Sequence, residues 1–274
     1  MSQPSPPLTE RPIPPERGYF NTYTLLSLPL LAFFVLPLLA LVLRISLRDM
    51  LSSLSEPAIT QAIRLSLTTS VTATILTVLL GTPLAYALSH HYMPFERFVD
   101  TLIDLPTVLP PAVAGVALLM AFGRRGLLGS TLETANIHIA FTQIAVILAQ
   151  TFVAAPFYIK AAKIGFANVN IELEQSSALD GAHSGQVLRY VVLPLSRTAL
   201  LGGAVMTWAR ALGEFGATII FAGNFPGRTQ TMPLAIYLGF QFNIETALTL
   251  SVILLGFSFL VLMLVKGLLQ REIS

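Results

Sequence analysis

The chain has 274 residues, of which 54% are hydrophobic and 11% are charged, and its formal net charge is +2. An average soluble domain carries about 25% charged residues, so this composition excludes an ordinary water-soluble fold and predicts an all-α membrane protein. The small, scattered excess of positive charge excludes a nucleic-acid-binding face, and the absence of cysteine excludes thiol redox chemistry and cysteine-ligated metals.

The N-terminal segment is rich in proline, mixed in charge, and lacks the basic-then-apolar order of a signal peptide. We therefore expect residues 1–22 to form a disordered cytosolic tail and residues 23–272 to form one transmembrane domain. The longest stretch between apolar segments, about residues 161–197, is too short for the core of an ordinary soluble domain.

Six segments approach the length of about 20 apolar residues that a helix needs to cross a bilayer. They are residues 25–45, 65–88, 107–122, 139–158, 199–222 and 247–269. The third is short, and Pro106, Pro110 and Pro111 precede or interrupt it. Proline removes a backbone donor, so this segment is either a broken helix that lines a cavity or a span that begins at Pro111 after a surface turn.

An even number of spans puts both termini on one side of the membrane, and the distribution of lysine and arginine predicts which side is cytosolic. With both termini inside, the inner segments hold nine of these residues: Arg11, Arg17, Arg97, Lys160, Lys163, Arg189, Arg197, Lys266 and Arg271. The outer segments hold six: Arg44, Arg48, Arg64, Arg124, Arg125 and Arg228. This bias predicts cytosolic N and C termini and a cytosolic loop at residues 161–197.

Two short helices are predicted within that loop. Asn170 can cap the first helix, the Asp180-Gly181 pair can close it, and Ser184 can start the second. The second helix carries an apolar stripe that needs a surface to pack on: Val187, Leu188, Val191, Val192 and Leu195.

The loop resembles the "EAA" loop of ABC importer permeases. Gln175, Ser176 and Ser177 occupy the Glu-Ala-Ala positions, with Glu174 one residue earlier as an alternative acid. Gly181 follows after three residues, and nine more lead to Val191-Val192-Leu193-Pro194. The resemblance implies a coupling helix that docks on an ATP-hydrolysing subunit, whereas the pattern by itself also fits an amphipathic helix at the membrane interface.

Two further blocks, residues 102–129 and 210–237, resemble the molybdate and tungstate permeases among the oxyanion importers, with sulfate permeases as the nearest competitors. The resemblance covers residues 63–269 and implies a type I ABC importer permease fold in the cytoplasmic (inner) membrane. It also implies a second copy of the chain, an ATPase subunit that binds ATP and Mg²⁺, and an extracytoplasmic oxyanion-binding protein. The chain itself is expected to hold no cofactor or metal.

Arg210 and Glu214 fall within the fifth apolar segment, where unpaired ionisable groups are costly. Their spacing of four predicts that they share one helix face. We consider two roles: an ion pair that fixes helix packing, or a site where Arg210 borders the path of an anion and Glu214 holds it. Thr218, Pro110 and Pro111 complete the candidate path or gate.

The fifth segment is also rich in glycine and alanine, which permits close helix contact for either packing or gating. The outer arginines Arg44, Arg48, Arg124, Arg125 and Arg228 either meet acidic patches of the binding protein or are solvated.

Other functional classes fit the sequence less well. No G-x-x-x-x-G-K-S/T phosphate loop is present, so the chain cannot bind ATP as the partner ATPase would. An ion-coupled secondary transporter would need carboxylates in several spans, and an intramembrane enzyme would need a catalytic cluster. The histidines His90, His91, His138 and His183 are scattered near loops, which argues against a metal site.

Overall fold

A computed structural model describes residues 17–273, and every regular element within that range is helical. The helices are α1 Arg17–Leu43, α2 Leu47–Ser53, α3 Pro57–Ser89, α4 Glu96–Val108, α5 Pro111–Phe122, α6 Gly129–Thr134, α7 Gln143–Ala167 and α8 Ile171–Leu179. They continue with α9 Ser184–Val187, a π-helical turn Leu188–Val192, α10 Leu193–Leu195, α11 Arg197–Leu212, α12 Gly216–Phe221, α13 Met232–Phe242 and α14 Ile244–Ile273.

The chain divides into two compact units, Met1–Arg44 and Ile45–Ser274. The first unit contributes α1, which begins at Arg17, inside the segment 1–22 that the sequence assigns to a tail. Residues 1–16 of that predicted tail lie outside the described residues. The second unit carries the remaining helices and both candidate functional regions.

Among residues 17–273, four helices are long and apolar enough to cross a membrane: Tyr23–Leu43, Pro57–Ser89, Gln143–Ala167 and Ile244–Met263. Two bent helix pairs raise the number to as many as six. Glu96–Val108 meets Pro111–Phe122 at 118°, and Ser184–Leu195 meets Arg197–Leu212 at 77°. The all-α membrane fold predicted from the sequence is therefore confirmed, with one bend at the third span and one where the predicted loop 161–197 meets the fifth span.

The third span breaks where the sequence places its prolines. α4 ends at Val108, and Pro111 is the first residue of α5, where its missing N–H leaves no hydrogen bond unmade. The prolines thus separate two helices, so α5 is preceded by a helix and not by a surface turn alone. Sequence analysis missed the short apolar helix α13 altogether.

Small residues bring α7 into close contact with α11. A Cβ atom added to Gly165 would lie 2.6 Å from Ala199 Cβ, and one added to Gly203 would lie 2.7 Å from Ala161 Cβ. The hydroxyl of Thr207 donates to the carbonyl of Ala154 at 3.3 Å across the same interface. The glycine-rich character of the fifth segment therefore includes a packing role, as small residues have in membrane helix pairs.

Ion pairs hold α4 against α7. Glu96, Asp100 and Asp104 recur every four residues along one face of α4. Lys163 Nζ lies 3.4 Å from Glu96 and 3.1 Å from Asp100, and Lys160 Nζ lies 2.8 Å from Asp104. The first half of the broken third span is therefore attached to α7 by charge.

We expect Gly203→Ala to lower the free energy of unfolding by about 1–3 kcal/mol, because the added methyl group overpacks the contact with Ala161. Gly202→Ala is the matched control, since a Cβ atom at position 202 would meet nothing within 4 Å. Thermal unfolding of the purified variants in detergent measures both effects. Equal unfolding temperatures for the two variants would contradict the packing role of Gly203.

Candidate functional site

The first helix of the predicted loop, α8, has the ends that the sequence predicts. Asn170 Oδ1 accepts a hydrogen bond from the backbone N–H of Glu172 at 3.0 Å, which caps the helix start. The helix closes at Asp180, and Gly181 follows with φ of +90°, a conformation that glycine adopts without strain. These local signals suffice to set both ends of α8.

Glu174 anchors α8 to the end of α3. Its side chain is buried, and His90 Nε2 lies 3.0 Å from its Oε2, while the hydroxyl of Tyr86 donates to the same oxygen at 3.5 Å. The rings of Tyr86 and His90 are in contact, with centroids 4.2 Å apart. Sequence analysis named Glu174 but missed His90, since a pairing across 84 residues leaves no local pattern.

Of the three residues at the Glu-Ala-Ala positions, Gln175 and Ser176 point away from Glu174, whereas Ser177 is three residues on and lies on nearly the same face. Gln175 and Ser176 are exposed and Ser177 is half-buried. The Ser176 hydroxyl donates to the carbonyl of Glu172 at 2.7 Å and that of Ser177 to Leu173 at 2.8 Å, so both are bonded within their own helix. The exposed surface of α8 is thus mixed, with Gln175 and Ser176 beside the exposed Leu179, and the buried Glu174 attaches the helix to the end of α3.

The second helix begins at Ser184, as predicted. His183 caps it reciprocally: its Nδ1 accepts from the Gln186 N–H at 3.2 Å, and Gln186 Oε1 accepts from the His183 N–H at 3.0 Å. Sequence analysis did not assign His183 this role.

The apolar stripe of this second helix packs only in part as predicted. Val187 and Val192 are buried in one cluster with Tyr158, and the half-buried Leu193 packs against it. Leu188 and Val191 also pack against this cluster, whereas Leu195 is 57% exposed and does not join it. The π-helical turn Leu188–Val192 interrupts the regular α-helical spacing of the stripe. Pro194 follows the turn and is exposed.

The fifth span is not the continuous helix predicted for residues 199–222. α11 ends at Leu212, and α12 begins at Gly216. Glu214 lies in the break, where its Oε1 accepts from the N–H of Ala217 at 2.9 Å. This carboxylate satisfies a free donor at the start of α12, which stabilises a second helix start in place of a continuous helix.

Arg210 and Glu214 form the ion pair that their spacing predicts, with Arg210 Nη1 2.7 Å from Glu214 Oε2. The two side chains are not equally enclosed: Glu214 is 1% exposed and Arg210 is 31% exposed. The buried carboxylate is thus held by two donors, while part of the guanidinium group remains accessible.

The two breaks in the membrane helices lie side by side. A Cβ atom added to Gly216 would lie 2.6 Å from Pro111 Cβ, so the start of α12 sits directly against the start of α5. Pro110 immediately precedes this contact. Thr218 is buried in the first turn of α12, and its hydroxyl has no hydrogen-bond partner among residues 17–273. The structure therefore brings the candidate path residues into one region.

Sequence analysis missed one further polar residue of the interior. Gln150 on α7 is fully buried, and neither atom of its side-chain amide has a hydrogen-bond partner within the described part of the chain. Across residues 17–273, no group of three or more His, Asp or Glu residues is arranged to hold a metal. His90 and His91 instead pair with Glu174 and Glu96.

Comparison with known families matches residues 77–273 to the family described as "Binding-protein-dependent transport system inner membrane component". The chain belongs to this family. Its fold is similar to that of a bacterial ABC transporter involved in the import of the acidic polysaccharide alginate, with a TM-score of 0.72 at 15% identity over 93% of this chain and 96% of that one. The importer permease fold implied by the sequence is confirmed.

Curated relatives include permease proteins for two kinds of substrate. The molybdenum transport system permease protein ModB of Mycobacterium bovis is 41% identical over 233 residues, which cover 85% of this chain and 88% of the relative. The sulfate transport system permease protein CysW of Synechococcus elongatus is 33% identical over 226 residues, covering 82% and 79%. These relatives confirm that the chain is a permease subunit and not an enzyme.

We expect Glu174→Ala to release α8 from α3, because His90 and Tyr86 lose a buried carboxylate partner. Hydrogen bonds to a charged group contribute about 2 kcal/mol, so local opening of the loop, and with it cleavage by a protease, should increase about thirtyfold. Glu172→Ala is the matched control, since Glu172 is exposed on the same helix. Limited proteolysis in detergent compares them, and equal cleavage rates would show that the anchor is dispensable.

At the helix break, we expect Arg210→Gln to destabilise the protein by about 2 kcal/mol, because it leaves the buried Glu214 carboxylate with one donor. The double variant Arg210→Gln with Glu214→Gln should recover part of this loss, since no uncompensated charge remains. Unfolding temperature and transport are measured together. A double variant that is stable but transports as poorly as Arg210→Gln alone would assign the guanidinium group to the anion path.

Proposed function

We propose that the chain is the transmembrane subunit of an ATP-driven ABC importer that translocates molybdate or tungstate across the cytoplasmic membrane. The observation that carries the substrate is the 41% identity to a molybdenum permease over 85% of the chain. The alternative is a sulfate or thiosulfate importer, favoured by the 33% identity to a sulfate permease over a similar length.

The loop at residues 161–197 is the proposed docking element for a separate ATPase that holds ATP and Mg²⁺. Its exposed residues Gln175 and Ser176 lie on a helix whose opposite side is fixed to α3 through Glu174 and His90. Force applied to the outer surface of α8 would therefore reach a membrane helix through a short buried contact. Glu174, Gly181, Leu193 and Pro194 shape the loop, and Gln175, Ser176 and Ser177 face the partner.

The distribution of lysine and arginine supports an orientation with both termini and the coupling loop in the cytosol. An extracytoplasmic binding protein then delivers the anion to the opposite face. Two copies of the chain enclose the path, as the family resemblance implies. This arrangement places the subunit in the cytoplasmic (inner) membrane with its ATPase on the inside.

The adjacent helix breaks are the proposed gate. Glu214 is buried and fixes the start of α12, while the accessible part of Arg210 can face a passing anion. Pro110 and Pro111 separate α4 from α5 at the contact with Gly216, so this region can move without disrupting a continuous helix. Arg210, Glu214, Thr218, Pro110 and Pro111 are the residues assigned to the path.

Transport in reconstituted vesicles tests the substrate assignment. Vesicles that contain the chain, its ATPase and its binding protein should accumulate molybdate or tungstate in preference to sulfate when ATP is supplied. All three are tetrahedral dianions, so the selectivity resides in pocket size and hydrogen-bond geometry, chiefly in the binding protein. Isotope uptake at equal anion concentrations measures the preference.

Vesicles without the ATPase are the control and should show neither uptake nor ATP hydrolysis, because this chain lacks the phosphate-binding loop. Sulfate uptake that excess molybdate fails to inhibit would replace the molybdate assignment with the sulfate one.

A further inference from the structure

A cavity of about 390 Å³ lies at the end of α7 that is opposite the coupling loop. It is enclosed by the C-terminal end of α5, the segment between α5 and α7, and the loop that follows α12. Its walls include Phe122, Arg124, Glu133, His138, Phe141 and Arg228. The volume falls within the range of about 300–1,000 Å³ that is typical of small-molecule sites.

Backbone hydrogen bonds fix one wall of this cavity. The N–H groups of Leu127 and Leu128 donate back to the carbonyls of Met120 and Ala121 at 2.8 and 2.9 Å, so the segment after α5 folds against the helix end. Gly129 fits closely here, because a Cβ atom would clash with the carbonyl of Arg124. The wall is therefore determined by hydrogen bonds and a required glycine.

The opposite wall is tied to α12. The N–H of Phe141 donates to the carbonyl of Phe221 at 3.2 Å, and the ring of Phe141 meets that of Phe225 edge-on with centroids 6.3 Å apart. These contacts hold the His138 segment beside the loop that carries Arg228. The polar groups are thus presented by two segments that are each anchored to a helix.

Positive charge exceeds negative charge around the cavity. Arg228 has no acidic partner within the described part of the chain, and the only acid that lines the cavity, Glu133, lies 3.9 Å from Arg124. The ring nitrogens of His138 make no hydrogen bond to any residue in the range 17–273. Two arginines and a histidine therefore line the cavity beside one glutamate, a set of side chains that favours an anion with several oxygen acceptors.

We propose that this cavity is a receiving site for a tetrahedral oxyanion on the face where the binding protein delivers it. The assignment of the cavity to the outer face of the membrane rests on the proposed function, which puts the coupling loop in the cytosol. α7 has 25 residues and is about 37 Å long. Because the loop follows one end of α7 and the cavity lies at the other, the cavity is on the opposite side of the membrane. An oxyanion held there by Arg124 and Arg228 is concentrated at the membrane protein before it enters the path.

Anion binding is tested on the purified complex of this chain and its ATPase in lipid nanodiscs, without the binding protein. Equilibrium dialysis with labelled molybdate, and in parallel with labelled sulfate, gives the affinity of each anion. We expect weak binding that falls about tenfold in Arg228→Gln, because a charge-assisted hydrogen-bond partner is removed. Arg125→Gln is the matched control, since Arg125 is exposed beside Arg124 but does not line the cavity.

Arg228→Lys should retain part of the affinity, because it keeps the charge but not the planar pair of donors. Equal affinities in Arg228→Gln and Arg125→Gln would overturn the proposal. A second pair of results would also overturn it: the unmodified complex binds neither anion, and Arg228→Gln weakens only the association with the binding protein. The cavity would then be a protein-docking surface.

The substrate assignment and the receiving site can be tested separately. Vesicles that transport sulfate and not molybdate would overturn the substrate assignment, whereas binding of either anion that depends on Arg228 supports the receiving site.

Discussion

A bilayer offers no hydrogen-bond partner to a peptide group, and this constraint governs where the membrane helices of this chain can be interrupted. At the first break, Pro110 and Pro111 have no N–H group to leave unpaired. At the second, the Glu214 carboxylate accepts the free N–H of Ala217. The two breaks thus avoid unpaired N–H groups in two different ways, and they are in contact with each other where Gly216 meets Pro111.

The same constraint explains why the buried carboxylates of the second unit, Glu174 and Glu214, are each paired with a donor from another segment. Glu214 is balanced by Arg210, and Glu174 is balanced by His90 where α3 ends. Each buried carboxylate joins segments that belong to different helices, so each pair sets the position of a junction. In the proposed importer such defined junctions would carry a displacement from the ATPase to the membrane helices, because a loosely attached loop would absorb it.

The sequence was sufficient for features that arise from local chemistry. Apolar runs predict the spans, Asn170 predicts the start of α8, and the positive φ of Gly181 agrees with the turn expected there. The break at Glu214 was missed because two structures compete there: a broken helix with the Glu214–Ala217 hydrogen bond, and a continuous helix. Composition does not reveal which of the two is more stable. The partners of Glu174 and Lys163 were missed because they come from helices distant in sequence.

The π-helical turn Leu188–Val192 changes which residues the loop at 161–197 exposes. Residues five apart point about 140° away from each other in a regular α-helix, yet Val187 and Val192 are both buried in one cluster. The wider turn brings these two residues onto the same face of the helix. It thereby sets the orientation of Leu193 and Pro194, which follow it. Deleting one residue from this turn would rotate all following residues about the helix axis by about 100°. The orientation of the end of the loop therefore depends on the number of residues in the turn as well as on their identity.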